Sequence, residues 1–87
     1  MRKLEELRTQ IRQTDMHIIE SLAKRQELAK QIGQIKLAEK KEIVDLAQEK
    51  RLFEFYEQLS EQCHLQKTFV KRLFKLIIAY SRSVQKL

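Results

Sequence analysis

Arg25 stands where an apolar residue belongs. Positions 4, 7, 11, 14, 18, 21, 25, 28, 32 and 35 alternate spacings of three and four. They read Leu4, Leu7, Ile11, Thr14, Ile18, Ser21, Arg25, Leu28, Ile32 and Ile35. Such steps trace one stripe along a helix, so this guanidinium sits in an apolar seam. A buried guanidinium without a counter-charge is costly, and capture of an anion is the chemistry to expect. The ordinary alternative is that Arg25 snorkels past the seam to a surface glutamate. Lys36 lies eleven residues on and, at about 100° per residue, returns to within about 20° of the same face.

Other polar residues fall at suggestive spacings. Arg8 and Asp15 share a flank of the seam, where simple surface pairing, such as Arg12 with Asp15, explains them singly. Arg8 lies roughly 25 Å along the helix from Arg25, so the two cannot serve one small ligand from the same chain. An antiparallel partner could bring its own Arg8 beside Arg25. Phe74, Ile78, Ser81 and Gln85 form one helical line that starts apolar and ends in a hydroxyl and an amide. A helix end fraying into solvent leaves the same pattern. Asp45 and Glu49 are one turn apart, and capping with macrodipole complementarity accounts for them equally well. His17 and His64 lack companions at metal spacing, so no metal site is expected. No Ser/His/Asp or Cys/His grouping has the turn chemistry of a nucleophile. Any reaction here must work by binding, orientation and electrostatics, with no cofactor.

The elements that must position these groups are helices. Ala, Glu, Lys, Leu and Arg make up about half of the chain, the bias of long helices. The 87 residues contain no proline and a single glycine, Gly33, too few turn residues for a sheet protein or a phosphate-cradling loop. The lone Cys63 excludes a disulfide framework and a cysteine zinc site. No apolar run approaches the roughly 20 residues needed to cross a bilayer, and no signal-peptide core follows Met1. The expectation is one soluble, cytoplasmic, all-α domain over residues 1–87.

Three helices are predicted. The first runs from Arg2 to about Ala38, and Gly33 costs it about 1 kcal/mol without breaking it. Glu39-Lys40-Lys41-Glu42 reads as a loop. Asp45 followed by Gln48 forms a capping-box pattern that opens a second helix, with Leu52, Phe55, Tyr56, Leu59 and Cys63 on one face. Cys63-His64-Leu65 is a short connection. A third helix runs from about Gln66 to Val84, with Phe69, Val70, Leu73, Phe74, Ile77 and Ile78 as its stripe. The first helix spans roughly 50–55 Å, against a diameter near 30 Å for a compact chain of this length. It overhangs any core the shorter helices can build, and a homodimer packed across a two-fold is the simplest way to cover it.

The pattern resembles the all-helical chorismate mutases, which convert chorismate to prephenate. The resemblance runs from Leu7 to Gln85. On the first helix it rests on Leu7-Arg8, Ile11, Asp15, Ile18-Ile19, Leu22-Ala23, Arg25, Leu28-Ala29, Ile32-Gly33 and Lys36. It continues through Asp45, Glu49, Phe69-Val70, Leu73-Phe74, Ile77-Ile78, Ser81 and Gln85. The resemblance implies an intertwined homodimer of three-helix chains, each site completed by an arginine of the other chain. It implies that Arg25 and a partner's Arg8 hold the two substrate carboxylates, with Ser81 near one of them. Lys36 and Gln85 would donate to the ether oxygen whose bond breaks, and Glu49, helped by Asp45, would hold the ring hydroxyl. Gln48 stands where members of the family commonly carry an arginine, so this substrate-contacting position is one positive charge short.

The net charge of +6 suits an anionic partner. A nucleic-acid binder would carry its cations on an exposed face, whereas these sit in or beside the seam, so neither nucleic acid nor a membrane is expected as a partner. Two other readings compete on the same fold. One is a pyruvate lyase acting on isochorismate, and the other is a catalytically weak regulatory module weakened by Gln48.

Overall fold

The computed structural model describes residues 2–85. It contains three helices: α1 (Arg2–Ala38), α2 (Leu46–Gln62) and α3 (Lys67–Gln85). The all-α expectation holds, with each boundary within a residue or two of its predicted place. α1 runs unbroken through Gly33. The longest dimension is 58 Å and the radius of gyration 16.4 Å, against about 12 Å for a compact chain of this length. The overhang is therefore real: every residue from 2 to 24 is exposed.

α3 is the shared element. It packs against the C-terminal half of α1 and against α2, while α1 and α2 stand apart. Tyr56, Val70 and Ile78 are buried between α2 and α3, with Leu52, Phe53 and Phe74 packed around them. Tyr56 stacks on Phe74 with ring centroids 4.0 Å apart, and Phe53 meets Tyr56 edge-on at 5.6 Å. Aromatic pairs in these geometries add about 0.5–1.5 kcal/mol beyond the area they bury.

The predicted inner face of α2 needs correction. Leu52 and Tyr56 point inward as expected, but Phe55, Leu59 and Cys63 are exposed, and Phe53 takes the inward place. Aromatic residues at 53, 55 and 56 offer two overlapping stripes, and contact with α3 alone selects the one through Phe53.

The helix ends follow from local chemistry. Asp45 adopts an extended backbone, and its Oδ1 accepts from the Gln48 amide at 3.0 Å, capping α2. α1 closes with Lys41 N donating to Lys36 O at 2.7 Å, and α2 with Leu65 N donating to Ser60 O at 2.9 Å. These six-to-one bonds need a left-handed residue just before the donor. Lys40 and His64 fill that place, each with φ of 57°.

Candidate active-site cleft

Because α1 and α2 both lean on α3 without touching each other, a cleft of about 460 Å³ opens between them. That is within the range of small-molecule sites. Its floor is apolar, built from Leu28, Ala29, Ile32, Ile43, Leu52 and Ile78. Its polar groups come from all three helices and the connection between the first two. α1 supplies Arg25 and Lys36, and the start of α2 supplies Asp45, Gln48 and Glu49. α3 supplies Ser81, Arg82 and Gln85. Seven of the eight sequence-predicted site residues thus converge on one cavity. Arg8 does not. It lies on the exposed half of α1, where it pairs with Glu5 at 2.9 Å. Its neighbour Arg12 reaches Thr9 at 3.3 Å rather than Asp15.

Arg25 is half-buried and does not snorkel to a glutamate: its Nη1 donates to Ser81 Oγ. Ser81 is itself buried, and Ile77 O and Gln26 Oε1 lie 3.0 and 3.1 Å from its hydroxyl. The single hydroxyl proton can serve only one of those acceptors. Ser81 therefore orients the guanidinium and, being neutral, leaves its charge uncompensated. Nearby, Gln26 Nε2 is enclosed with no hydrogen-bond partner among the described residues.

Lys36 Nζ donates to Ile43 O at 2.7 Å. An ammonium has three donors, so this bond fixes Lys36 at the rim and leaves protons for a ligand. Asp45 serves as the α2 cap while facing the cleft. The capping reading of Asp45 holds.

Gly33 brings Gln85 into the site. A Cβ built on Gly33 would stand 2.8 Å from Gln85 Cα and 3.0 Å from Gln85 O. No side chain fits in that gap, so the glycine sets the spacing of α1 and α3 at the mouth of the cleft. Its role is close approach of two backbones, and the helical seam pattern alone does not reveal it.

Arg82 escaped the sequence reading. Its Nη2 forms an ion pair with Glu49 Oε1 that ties α3 to α2 across the cleft. It lies one turn beyond buried Ile78, and that i,i+4 step is the signal that could have found it. A smaller recess of about 200 Å³ lies between α2 and α3 near Phe53, Tyr56 and Val70. Two of its charged residues, Lys67 and Glu57, bridge at 3.4 Å, and Lys67 also pairs with Glu61. The hydrogen bond to Glu61 is the main cause of a raised Lys67 pKa.

Among the described residues no group of His, Cys, Asp and Glu could hold a metal ion, and no helix is long and apolar enough to cross a membrane. Residues 7–86 match the family described as chorismate mutase type II. The chain is 35% identical over 79 residues to a bifunctional chorismate mutase/prephenate dehydratase of Buchnera aphidicola subsp. Schizaphis graminum (strain Sg), covering 91% of this chain and 20% of that protein. It is 36% identical over 72 residues to the protein of the same description in Escherichia coli (strain K12), covering 83% and 19%. The same figures hold for the one in Shigella flexneri. The chain thus spans about a fifth of the length of these relatives, and the family match over residues 7–86 holds all the cleft residues. With three helices, a cleft lined from all of them and a match over nearly its whole length, the chain belongs to the chorismate mutase type II family.

Proposed function

We propose that residues 1–87 form a single chorismate mutase domain that converts chorismate to prephenate. The reaction is an intramolecular rearrangement: the ether C–O bond breaks as a new C–C bond forms, and the product is an isomer of the substrate. It needs no nucleophile, cofactor or metal. The observation that supports this reading most is the convergence of Arg25, Lys36, Glu49, Ser81 and Gln85 on one cleft from three helices.

In this reading Arg25, held by Ser81, grips one substrate carboxylate. Arginine forks suit that task because two parallel N–H donors match the two carboxylate oxygens. Gripping both carboxylates holds the flexible side chain over the ring in its reactive shape. Lys36 and Gln85 donate to the ether oxygen as it gains negative charge, a role worth roughly 3–4 kcal/mol per preorganised donor. Glu49, with Asp45 beside it, accepts from the ring hydroxyl, and Gln48 contacts the substrate without adding charge.

The second carboxylate needs Arg8, and one chain cannot supply it. We therefore place the site in an intertwined homodimer in which the exposed half of α1 crosses to its twin and delivers Arg8 there. The exposed apolar residues Leu4, Leu7, Ile11, Ile18 and Ile19 would be covered by that crossing. The exposed, unpaired Cys63 fits the reducing cytoplasm, where we expect the enzyme to work.

Two measurements test this. Purified protein should consume chorismate and yield prephenate; salicylate and pyruvate from isochorismate would instead identify a lyase. Arg8→Ala and Arg25→Ala should each be inactive alone. Mixed and reassembled in equal amounts they should recover about a quarter of the sites, because half of the dimers are mixed and each has one intact site. No recovery would refute the shared site.

A further inference from the structure

We propose that Arg82 is a binding residue of the cleft that fixes Glu49 and offers the rest of its guanidinium to a ligand carboxylate, replacing a charge that Gln48 lacks. The proposal deepens the chorismate mutase reading and rests on it for the identity of the ligand. The cleft lining holds three cations, Arg25, Lys36 and Arg82, and two anions, Asp45 and Glu49. Arg25 and Lys36 are bonded to neutral partners, Ser81 Oγ and Ile43 O. Arg82 alone among the three is matched to a carboxylate. The pair is no surface ornament: the Arg82 and Glu49 side chains are only 34% and 23% exposed, and both face the cavity.

Electrostatics gives the pair its function. A dianionic ligand entering this cleft meets Glu49, and an uncompensated carboxylate there would repel it. The like-charge penalty is largest in an enclosed, weakly screened site. Arg82 cancels that repulsion while holding Glu49 where it can accept a hydrogen bond from a hydroxyl. A guanidinium has five N–H donors and one carboxylate occupies at most two, so donors remain for the ligand. Gln48, one residue before Glu49 on α2, faces the same cavity and brings an amide without charge. The cation that serves this end of the cleft therefore comes from α3.

The test compares wild type, Arg82→Gln, Arg82→Lys, Gln48→Arg and the double variant Arg82→Gln/Gln48→Arg. Two readouts are taken: kcat and KM for chorismate, and the Kd of a stable bicyclic ether dicarboxylate shaped like the transition state. Arg82→Gln should lower kcat/KM and weaken the dicarboxylate by about 10–100-fold, as expected for a charged hydrogen-bonding partner lost. Arg82→Lys should fall between it and wild type. Gln48→Arg should restore most of the loss in the double variant yet change wild type by less than about threefold, since the place is already filled. A merely structural arginine on α3 would not be rescued from α2. Undiminished binding by Arg82→Gln, tighter binding because the arginine masks Glu49, or a tenfold gain from Gln48→Arg alone would each overturn the proposal. The last reading stands even if Arg82→Gln fails to fold. Wild type that binds the dicarboxylate in an Arg82-dependent way but makes no prephenate would sink the mutase reading and leave Arg82 in place. Full prephenate turnover by Arg82→Gln would do the reverse, and wild type that neither binds nor reacts would overturn both.

Discussion

The two halves of α1 carry the same seam and have opposite fates. From Arg25 to Ala38 the helix meets α3 and the cleft: Arg25 and Lys36 are half-buried, Leu28 and Ile32 line the cavity while still exposed, and the buried residues, Ala29 and Gly33, lie one position beyond the predicted seam. From Arg2 to Lys24 it meets nothing in the chain and every residue is exposed. Periodicity therefore says which face of a helix is sticky, but length and topology decide whether its own chain can cover it. α2 and α3 together reach only the C-terminal half of a helix this long.

Substitutions in each half sharpen that contrast. The largest effect is expected at Arg25: Arg25→Ala should cut turnover at least a hundredfold, the scale for loss of a preorganised charged donor, with unchanged helical circular dichroism. Retained turnover would remove this guanidinium from the site.

In the other half, Ile11→Asp is next. In a lone chain this exposed position would tolerate Asp within about 0.5 kcal/mol. Under a covering partner the change forfeits about 1.5–3 kcal/mol of apolar burial and adds the cost of burying a charge. Sedimentation should then show loss of the assembled species together with loss of turnover, and an unchanged mass would argue that the exposed half stays uncovered.

Gly33→Ala separates local propensity from packing. Helix propensity alone predicts a gain of about 1 kcal/mol. The 2.8 Å approach of Gln85 Cα predicts the reverse, because backbone must move. We expect a lower Tm and a kcat reduced about 10-fold or more as Gln85 is pushed from the mouth of the cleft, by the scale of a misplaced positioning group. A higher Tm with full activity would show that α3 yields at no cost.

Smaller still is His64→Gly, far from both halves, which should stabilise by about 0.5–1 kcal/mol by relieving a left-handed backbone. Thermal melts check it. Smallest of all is the response to pH. No histidine or cysteine lines the cleft, and the Gln85 amide does not titrate, so kcat should stay flat between about pH 6 and 8. A steep loss in that interval would point to a titrating group outside the cleft.

Much of this arrangement was legible before any coordinates. The unbroken passage through Gly33, the Asp45 cap and the shared side of Arg25 and Lys36 follow from helical phase and a few cap rules, whereas Ser81 joined them only through the resemblance to the chorismate mutases. What phase cannot reach are contacts that depend on which helices touch. The stripe on α2 was misread because the residues at 53, 55 and 56 fit two faces, and only docking on α3 chooses between them. Arg82 went unread since nothing in its own helix announces Glu49 on another. The purpose of Gly33 was equally hidden, for a missing Cβ matters only when a second backbone fills its place.

The bond from Lys36 to the Ile43 carbonyl has a mechanical consequence. The segment from Glu39 to Val44 leads directly into the residue that starts α2. Its posture is therefore latched by the same ammonium that an incoming anion would recruit. Filling the cleft should quieten this segment, and slower amide hydrogen exchange there on ligand addition would report occupancy from a connection that lines the cleft only at Ile43.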